Sequence, residues 1–145
     1  LAGRYTLLEQ NGCLELFSRC LATNTSIIAG GPFNSGILAT GATDLQSGNY
    51  NYVPATAEII ERVSTIEAIC REFDISLAAA ALQLPLAHNA VASVIPGLAS
   101  VASVNQALNW IETKSPAEFW NVLKESNLLA ADVPIPLFEN PHGDC

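Results

Sequence analysis

Two short apolar runs, each ended by glycine and proline, place the strongest constraint on the fold of this chain. One lies in Ser26-Ile-Ile-Ala-Gly-Gly-Pro-Phe-Asn-Ser-Gly36, and the other is Val91-Ala-Ser-Val-Ile-Pro-Gly97. Runs rich in β-branched residues are typical of buried parallel strands. The glycines and prolines that follow indicate loops with an accessible backbone. Because ligands bind at the carboxyl ends of parallel strands, these loops are the first candidates for a binding site.

The rest of the chain alternates between strand and helix patterns, which predicts an α/β fold with parallel strands. A further strand is predicted at Arg4–Leu8, ahead of strands at 26–29 and 91–95. Apolar residues at helical spacing, with Thr56, Ser76 and Ser115-Pro116 as caps, predict the helices. These helices are expected at 13–22, 57–73, 76–84, 101–111 and 117–123. Residues 39–54 are expected to form a long polar loop, and 132–145 an irregular tail.

The composition narrows the class of protein. The chain has 145 residues, a net charge of −8 and a mean hydropathy of +0.30. An acidic chain with six Lys and Arg is a poor partner for nucleic acid. No segment is typical of a membrane span or a signal peptide, which favours a cytoplasmic location. The four cysteines form no Cys-x-x-Cys pair, so Cys13, Cys20 and Cys70 are predicted to be reduced core thiols rather than metal ligands.

Both candidate loops suit an anion. The Gly30–Gly36 loop offers several backbone N–H groups with little side-chain obstruction, and Ile95-Pro96-Gly97 precedes a helix N-terminus near Val101. Backbone N–H groups and helix N-termini are common partners of phosphate. The alternative is that these glycines and prolines merely end two strands.

The chain resembles the carboxyl-terminal part of the aldo-keto reductases. Arg4–Leu8 is similar to the sixth strand of that family, Ser26–Gly36 to the seventh strand with its cofactor loop, and 81–97 to the helix and eighth strand. The form Gly-Gly-Pro-Phe-Asn-Ser-Gly-Ile-Leu is similar to the branch that oxidises L-fucose, D-threo-aldoses and L-galactose, and to pyridoxal dehydrogenases. The resemblance implies a partial (β/α)8 TIM barrel over residues 1–131, comprising the last three parallel strands with their helices.

The resemblance also implies a nicotinamide cofactor and positions that would contact it. These cofactor-binding positions are Gly31, Pro32, Phe33, Asn34, Ser35, Gly36, Pro96, Gly97, Leu98, Ser103 and Gln106. Ser103 stands where many members carry an Arg for the 2′-phosphate, so NAD is expected rather than NADP. Gly30 replaces the Tyr that often stacks on the nicotinamide, and Tyr50 or Tyr52 is a possible substitute.

No catalytic residue is carried over, because the family's Asp, Tyr, Lys and His come from the first half of the barrel. His88 is expected to be a cap or surface residue, Tyr5 a core residue, and Glu58, Glu61, Glu67 and Glu72 part of a solvated helix face. The expectation is therefore a fragment, inactive alone, of an NAD(P)-dependent oxidoreductase acting on sugar-like substrates. Its expected partner is a missing amino-terminal half-barrel or a second copy. Two alternatives remain: a non-catalytic module that pairs through exposed sheet edges, and an unrelated small-molecule binder.

Overall fold

Helices and short strands alternate along the part of the chain that this computed structural model describes, residues 1–42 and 49–137. The α-helices are α1 (Leu14–Ala22), α2 (Ile37–Thr40), α3 (Ala57–Glu72), α4 (Leu77–Gln83), α5 (Val101–Glu112) and α6 (Ala117–Glu125). The strands are β1 (Ile27–Gly30), β2 (Asn49–Tyr50), β3 (Val53–Pro54) and β4 (Val91–Ile95). Short 3-10 turns occupy Asn11–Cys13, Asn34–Gly36 and Leu84–Ala87.

Strands β1 and β4 are neighbours and run parallel, with Gly30 opposite Ile95 at their carboxyl ends. The first residues of the chain lie along the other side of β1. Ala2 forms a parallel bridge to Gly30. The Gly30 amide donates to the Leu1 carbonyl at 2.7 Å, and the Gly3 amide donates to the Gly30 carbonyl at 2.8 Å. Three parallel segments therefore lie side by side, as the alternating pattern predicts.

The predicted strand at Arg4–Leu8 is wrong, because pairing ends at Gly3 and residues 3–8 bend. The Thr6 hydroxyl accepts the amides of Leu8 and Glu9 at 3.2 and 3.1 Å. The backbone of Thr6 and Glu9 is also joined by two hydrogen bonds. Side-chain and backbone bonds within this turn replace the strand ladder. The sequence here resembles a strand because the apolar side chains of Tyr5 and Leu7 are both buried in the core, although the backbone that carries them is bent.

Capping residues set the beginnings of the long helices. The Thr56 hydroxyl accepts the Ile59 amide at 3.4 Å before α3, and the Ser76 hydroxyl accepts the Ala79 amide at 3.1 Å before α4. These contacts satisfy amides that have no partner within the first turn. Pro85 lies just past the end of α4, in the 3-10 turn Leu84–Ala87, as its missing N–H predicts.

A buried hydrogen-bond network joins α4, α5 and α6. The Gln83 side-chain amide donates to the carbonyl oxygens of Trp110 and Thr113 at 2.6 and 2.8 Å. The Ser115 hydroxyl donates to Gln83 Oε1 at 2.7 Å and accepts the Trp120 indole N–H at 3.0 Å. The prediction that Ser115-Pro116 caps the last helix is corrected here. Pro116 occupies the cap position without a side-chain bond, because the Ser115 hydroxyl is committed to the network.

Three predictions about individual segments have different outcomes. Residues 39–54 are more ordered than a loop, since they include the end of α2 and the β2–β3 hairpin, while 43–48 lie outside the described residues. The described part of the tail, 132–137, contains no helix or strand, and Cys145 and His142 lie outside it. Cys13, Cys20 and Cys70 are buried and free, which confirms their prediction as core thiols.

Within the described ranges, no helix combines the length and apolar character needed to cross a bilayer. The same residues contain no cluster of three or more His, Cys, Asp or Glu side chains that could hold a metal ion.

Candidate functional site

The two candidate loops open at the same edge of the parallel sheet. Gly30 and Ile95 are opposite each other in register, and the Gly31 amide donates to the Ile95 carbonyl at 3.2 Å. Gly31 and Pro96 therefore begin their loops side by side. This placement is the one expected of ligand-binding loops at the carboxyl edge of a parallel sheet.

The loop after β1 has an unusual backbone conformation. Asn34, Ser35 and Gly36 have φ values of 45°, 59° and 103°, and Gly31 has a φ of 64°. Asn tolerates the left-handed region, but Ser pays a steric penalty there, on the order of 1 kcal/mol. Residues in such conformations concentrate at ligand sites. Below the loop, the buried Phe33 ring contacts the Trp110 ring edge-on at 5.7 Å between centroids, which anchors the loop to α5.

A cleft of about 220 Å³ lies at this edge, over the ends of the first segment and β1. Three of the predicted cofactor positions line it: Gly31, Asn34 and Ser35. Tyr52, suggested from the sequence as a stacking residue, also lines it, and sequence reasoning missed four further lining residues: Ala2, Gly3, Arg4 and Asn51. Part of this omission arises because the first strand was predicted at Arg4–Leu8, whereas the observed pairing ends at Gly3. With pairing placed at 1–3, Arg4 becomes a residue that follows a strand end at the same edge as Gly31.

The β2–β3 hairpin covers one side of the cleft and is held there by polar contacts. The Tyr52 amide donates to Ser35 Oγ at 3.0 Å, and the Tyr50 hydroxyl donates to Glu9 Oε1. Burial and the bond to Glu9 raise the pKa of Tyr50 to about 12. The Tyr52 side chain makes no such contact with the residues that the structure describes and is 92% exposed at the mouth of the cleft. Of the two tyrosines suggested for nicotinamide stacking, Tyr52 has the ring that is accessible.

The remaining predicted positions lie elsewhere around the two loops. Pro96 and Leu98 line a separate apolar groove of about 370 Å³ between β4 and α5, and Gly97 is exposed. On α5, the Ser103 hydroxyl donates to the Ser100 carbonyl at 2.8 Å in a capping box, and Gln106 is exposed. Pro32 and Phe33 are buried beneath the cleft, and Gly36 precedes α2.

The side chains set aside as non-catalytic have clear structural roles. Tyr5 is buried, which confirms its assignment to the core, and burial raises its pKa to about 12. His88 ends the Leu84–Ala87 turn, and its Nδ1 accepts the Ala90 amide at 3.1 Å, as expected of a cap. Its ring also packs on Phe17, with centroids 4.2 Å apart, and burial lowers its pKa.

One carboxylate departs from the expected solvated face of α3. Glu58, Glu61 and Glu72 are exposed, as predicted. Glu67 is half-buried, and its Oε2 accepts the Ala42 amide at 3.2 Å. The bond ties the segment after α2 to α3, because Gly41 leaves no side chain between them. Glu67 thus has a structural role.

A sequence model of the Aldo/keto reductase family matches residues 1–128. The chain belongs to this family. It is 39% identical over 130 residues to a pyridoxal 4-dehydrogenase from Microbacterium luteolum, covering 90% of this chain and 37% of that protein. It is also 39% identical over 129 residues to a D-threo-aldose 1-dehydrogenase from a Pseudomonas species, covering 89% and 39% of the two chains. The chain therefore spans about two fifths of the length of these aldo-keto reductase relatives.

Solved aldo-keto reductases share the fold. The holo form of aldo-keto reductase AKR11C1 from Bacillus halodurans superposes with a TM-score of 0.63 at 24% identity, over 94% of this chain and 43% of that one. Its apo form superposes with the same score and identity and is matched over 44% of its length. The parallel β1–β4 pair and its helices therefore have the arrangement seen in aldo-keto reductases. The two relatives named above are dehydrogenases, a class of oxidoreductase.

Proposed function

We propose that this chain forms the cofactor side of an NAD(P)-dependent oxidoreductase that acts on aldoses or similar carbonyl and hydroxyl compounds. The observation that carries the proposal is the pairing of the Gly31 and Pro96 loops at one sheet edge beside a cleft. The dehydrogenase names of the two relatives support the reaction class. On this proposal, residues 1–131 correspond to the last three β/α units of a TIM barrel.

The residues present fit a dinucleotide in two respects. Gly31 has a φ of +64°, which favours glycine, and the absence of a Cβ, which would contact the Gly3 amide nitrogen at 3.4 Å, leaves backbone at the cleft floor. Asn34 lines the cleft, and neither polar atom of its buried carboxamide has a hydrogen-bond partner among the described residues. Gly31, Asn34 and Ser35 would hold the phosphate and ribose part of the cofactor, while the Pro96–Leu98 loop, Ser103 and Gln106 would contact the adenosine end. A bound nicotinamide cofactor supplies the hydride donor or acceptor.

NAD is proposed in preference to NADP. Helix α5 carries no Lys or Arg, and the hydroxyl of Ser103 is engaged with Ser100. A 2′-phosphate near this helix would lack the charge-assisted hydrogen bonds that a cation provides. The acidic net charge of −8 disfavours the extra phosphate further.

The chain alone is proposed to be inactive as a dehydrogenase. The described residues that line the cleft include no carboxylate, Lys or His that could take the proton of a substrate hydroxyl. Their one phenol, Tyr52, has no Lys, His or carboxylate beside it among those lining residues, and Tyr5 is buried in the core. Oxidation of L-fucose or L-galactose by the purified chain with NAD would contradict this statement.

The binding half of the proposal is tested with a charge placed in the cleft. In Ser35→Asp, a carboxylate faces the phosphates of NAD, and Asp accepts the left-handed backbone at least as well as Ser. NAD affinity, measured by ligand-observed NMR, is expected to fall roughly tenfold or more, because the carboxylate repels the phosphates. Ser64→Asp, exposed on α3, is the matched control and should leave affinity unchanged. Equal NAD affinity in both variants would overturn the placement of the cofactor.

A second candidate function is a non-catalytic module that pairs through its sheet edge. An apolar stripe along α5 favours it: Val101, Val104 and Leu108 are exposed beside the β4 groove, and β4 is paired to β1 alone among the described strands. This candidate predicts self-association in sedimentation and binding of a hydrophobic dye. A monomer that binds no dye would exclude it.

A further inference from the structure

Asn11 is the one asparagine of the sequence that is followed by glycine. Asn11 and Gly12 are both exposed, in the 3-10 turn Asn11–Cys13 that precedes α1. Because Gly12 has no Cβ, little stands between its backbone nitrogen and the neighbouring carboxamide. A Cβ built on Gly12 would meet no atom within 4 Å, and the residue has no positive φ. The fold therefore leaves this pair accessible without itself requiring glycine there.

The backbone nitrogen of Gly12 is available to react. Gly12 lies in the first turn of a helical segment, where backbone amides have no carbonyl partner within the helix. Among the described residues, no carbonyl outside the turn accepts its N–H. The turn has three residues and no side-chain cap at Gln10, so it opens at small cost.

Three other exposed asparagines lie outside helices and strands, and at each of them the following amide is already hydrogen-bonded: Asn24, Asn89 and Asn127. The amide after Asn24 donates to the Cys20 carbonyl at 2.8 Å. The amide after Asn89 donates to His88 Nδ1 at 3.1 Å. A nitrogen held in such a bond is a poorer nucleophile, because the bond must break before the nitrogen can attack. Asn11 thus differs from these residues in its setting as well as in its neighbour.

We propose that Asn11 is a site of spontaneous deamidation. The Gly12 nitrogen loses its proton and attacks Cγ of Asn11, the Cγ–Nδ2 bond breaks, and ammonia leaves as a cyclic succinimide closes. Water then opens the ring at either carbonyl, which gives aspartate or isoaspartate with no oxidation or reduction. The proposal does not depend on the cofactor or on the proposed function.

Isoaspartate at position 11 changes the path of the main chain, which then runs through the former side chain and is longer by a methylene group. Cys13 follows directly. It is buried, and its thiol donates to the Arg4 carbonyl at 2.9 Å. A longer backbone ahead of Cys13 displaces this contact with Arg4, a residue that lines the cleft. Aspartate instead adds a carboxylate ahead of α1, where the helix dipole favours negative charge.

The test ages the whole chain at mildly alkaline pH and maps its tryptic peptides by mass spectrometry. Cleavage after Arg4 and Arg19 gives peptide 5–19, whose one asparagine is Asn11. This peptide is expected to gain about 1 Da, with isoaspartate detected by electron-transfer fragmentation. Peptide 115–124, whose one asparagine is Asn121 in α6, is the control in the same digest. The proposal is overturned if peptide 5–19 of the aged chain is unchanged after a synthetic copy of it has deamidated completely.

Two variants separate the dipeptide from its setting. Gly12→Ala should slow the mass gain roughly tenfold or more, because a Cβ hinders the approach that glycine allows. Thr25→Gly places a glycine after Asn24, on an exposed turn where the following amide is bonded to Cys20. In that variant Asn24 should react more slowly than Asn11. An unchanged rate in Gly12→Ala, or equal rates at the two asparagines in Thr25→Gly, contradicts the proposal.

Urea unfolding measures the consequence for the fold. The isoaspartate form, separated by ion exchange, is expected to unfold at a lower urea concentration than the fresh chain. Asn11→Asp introduces the charge without the longer backbone and should unfold as the fresh chain does. Equal midpoints for the isoaspartate form and the fresh chain would contradict the displacement of the contact between Cys13 and Arg4.

Discussion

The Gly31 amide donates to the Ile95 carbonyl at 3.2 Å, so the first residue of the loop after β1 is hydrogen-bonded to the last residue of β4. This one bond continues the parallel ladder past the register pair of Gly30 and Ile95. It joins residues far apart in sequence at the edge where the cleft lies. The geometry of the candidate site therefore depends on the backbone conformation of Gly31.

Gly31→Ala is expected to lower the free energy of unfolding by about 1–2 kcal/mol, because an L-residue is strained in the left-handed region. The φ of Gly31 is +64°, and the new Cβ would lie 3.4 Å from the Gly3 amide nitrogen. Urea denaturation measures the change. Gly97→Ala is the matched control, since its Cβ would meet no atom within 4 Å. Equal stabilities of the two variants would contradict the prediction.

Ser115→Ala is expected to destabilise the chain by about 2 kcal/mol or more, since it leaves two buried polar groups unpaired. Those groups are Gln83 Oε1 and the Trp120 indole N–H, both bonded to the Ser115 hydroxyl. Thermal and urea unfolding followed by Trp fluorescence report the loss. Ser64→Ala on the exposed face of α3 removes the same atom without a buried partner and should change stability little. The network prediction fails if the two variants unfold alike.

Stability is expected to fall at alkaline pH in part through Cys70. Burial, with a smaller effect of Glu67, raises the pKa of this thiol from 9.0 to about 12. Because the pKa of the Cys70 thiol is higher in the folded chain than in the unfolded chain, its contribution to the free energy of unfolding is complete below pH 9. This contribution is lost as the pH rises towards 12. Cys70→Ala should therefore remove about 1–2 kcal/mol of the decrease in unfolding free energy between about pH 8 and about pH 10.5.

The Cys70 experiment compares slopes rather than absolute stabilities. At pH 7 the variant is less stable through the lost sulfur contacts, and this offset serves as the internal control. Urea unfolding of both proteins across the alkaline range gives the pH dependence. Parallel curves for the chain and Cys70→Ala would show that the thiol does not titrate as described.

The elements that sequence reasoning located well are those with local causes. Strand β4 has the bounds 91–95 that were predicted, and α3 and α4 begin after Thr56 and Ser76, whose hydroxyls bond amides three residues on. The parallel order follows from helices that separate the strands. The family resemblance, drawn from the Gly30–Gly36 loop and from 91–97, is confirmed by the family match.

The amino-acid sequence by itself determined the helix starts, the β4 strand and the parallel α/β class, because caps, prolines and apolar periodicity act within a few residues. Only the tertiary structure decided that Arg4–Leu8 bends, that Ser115 bonds Gln83, and that Arg4 and Asn51 share a cleft with Asn34. The last two relationships join distant segments of the chain, whereas the bend rests on local bonds of Thr6 that the alternating apolar pattern does not signal. The long-range relationships depend on which buried polar groups find partners once the helices pack, and spacing along the sequence does not encode that outcome.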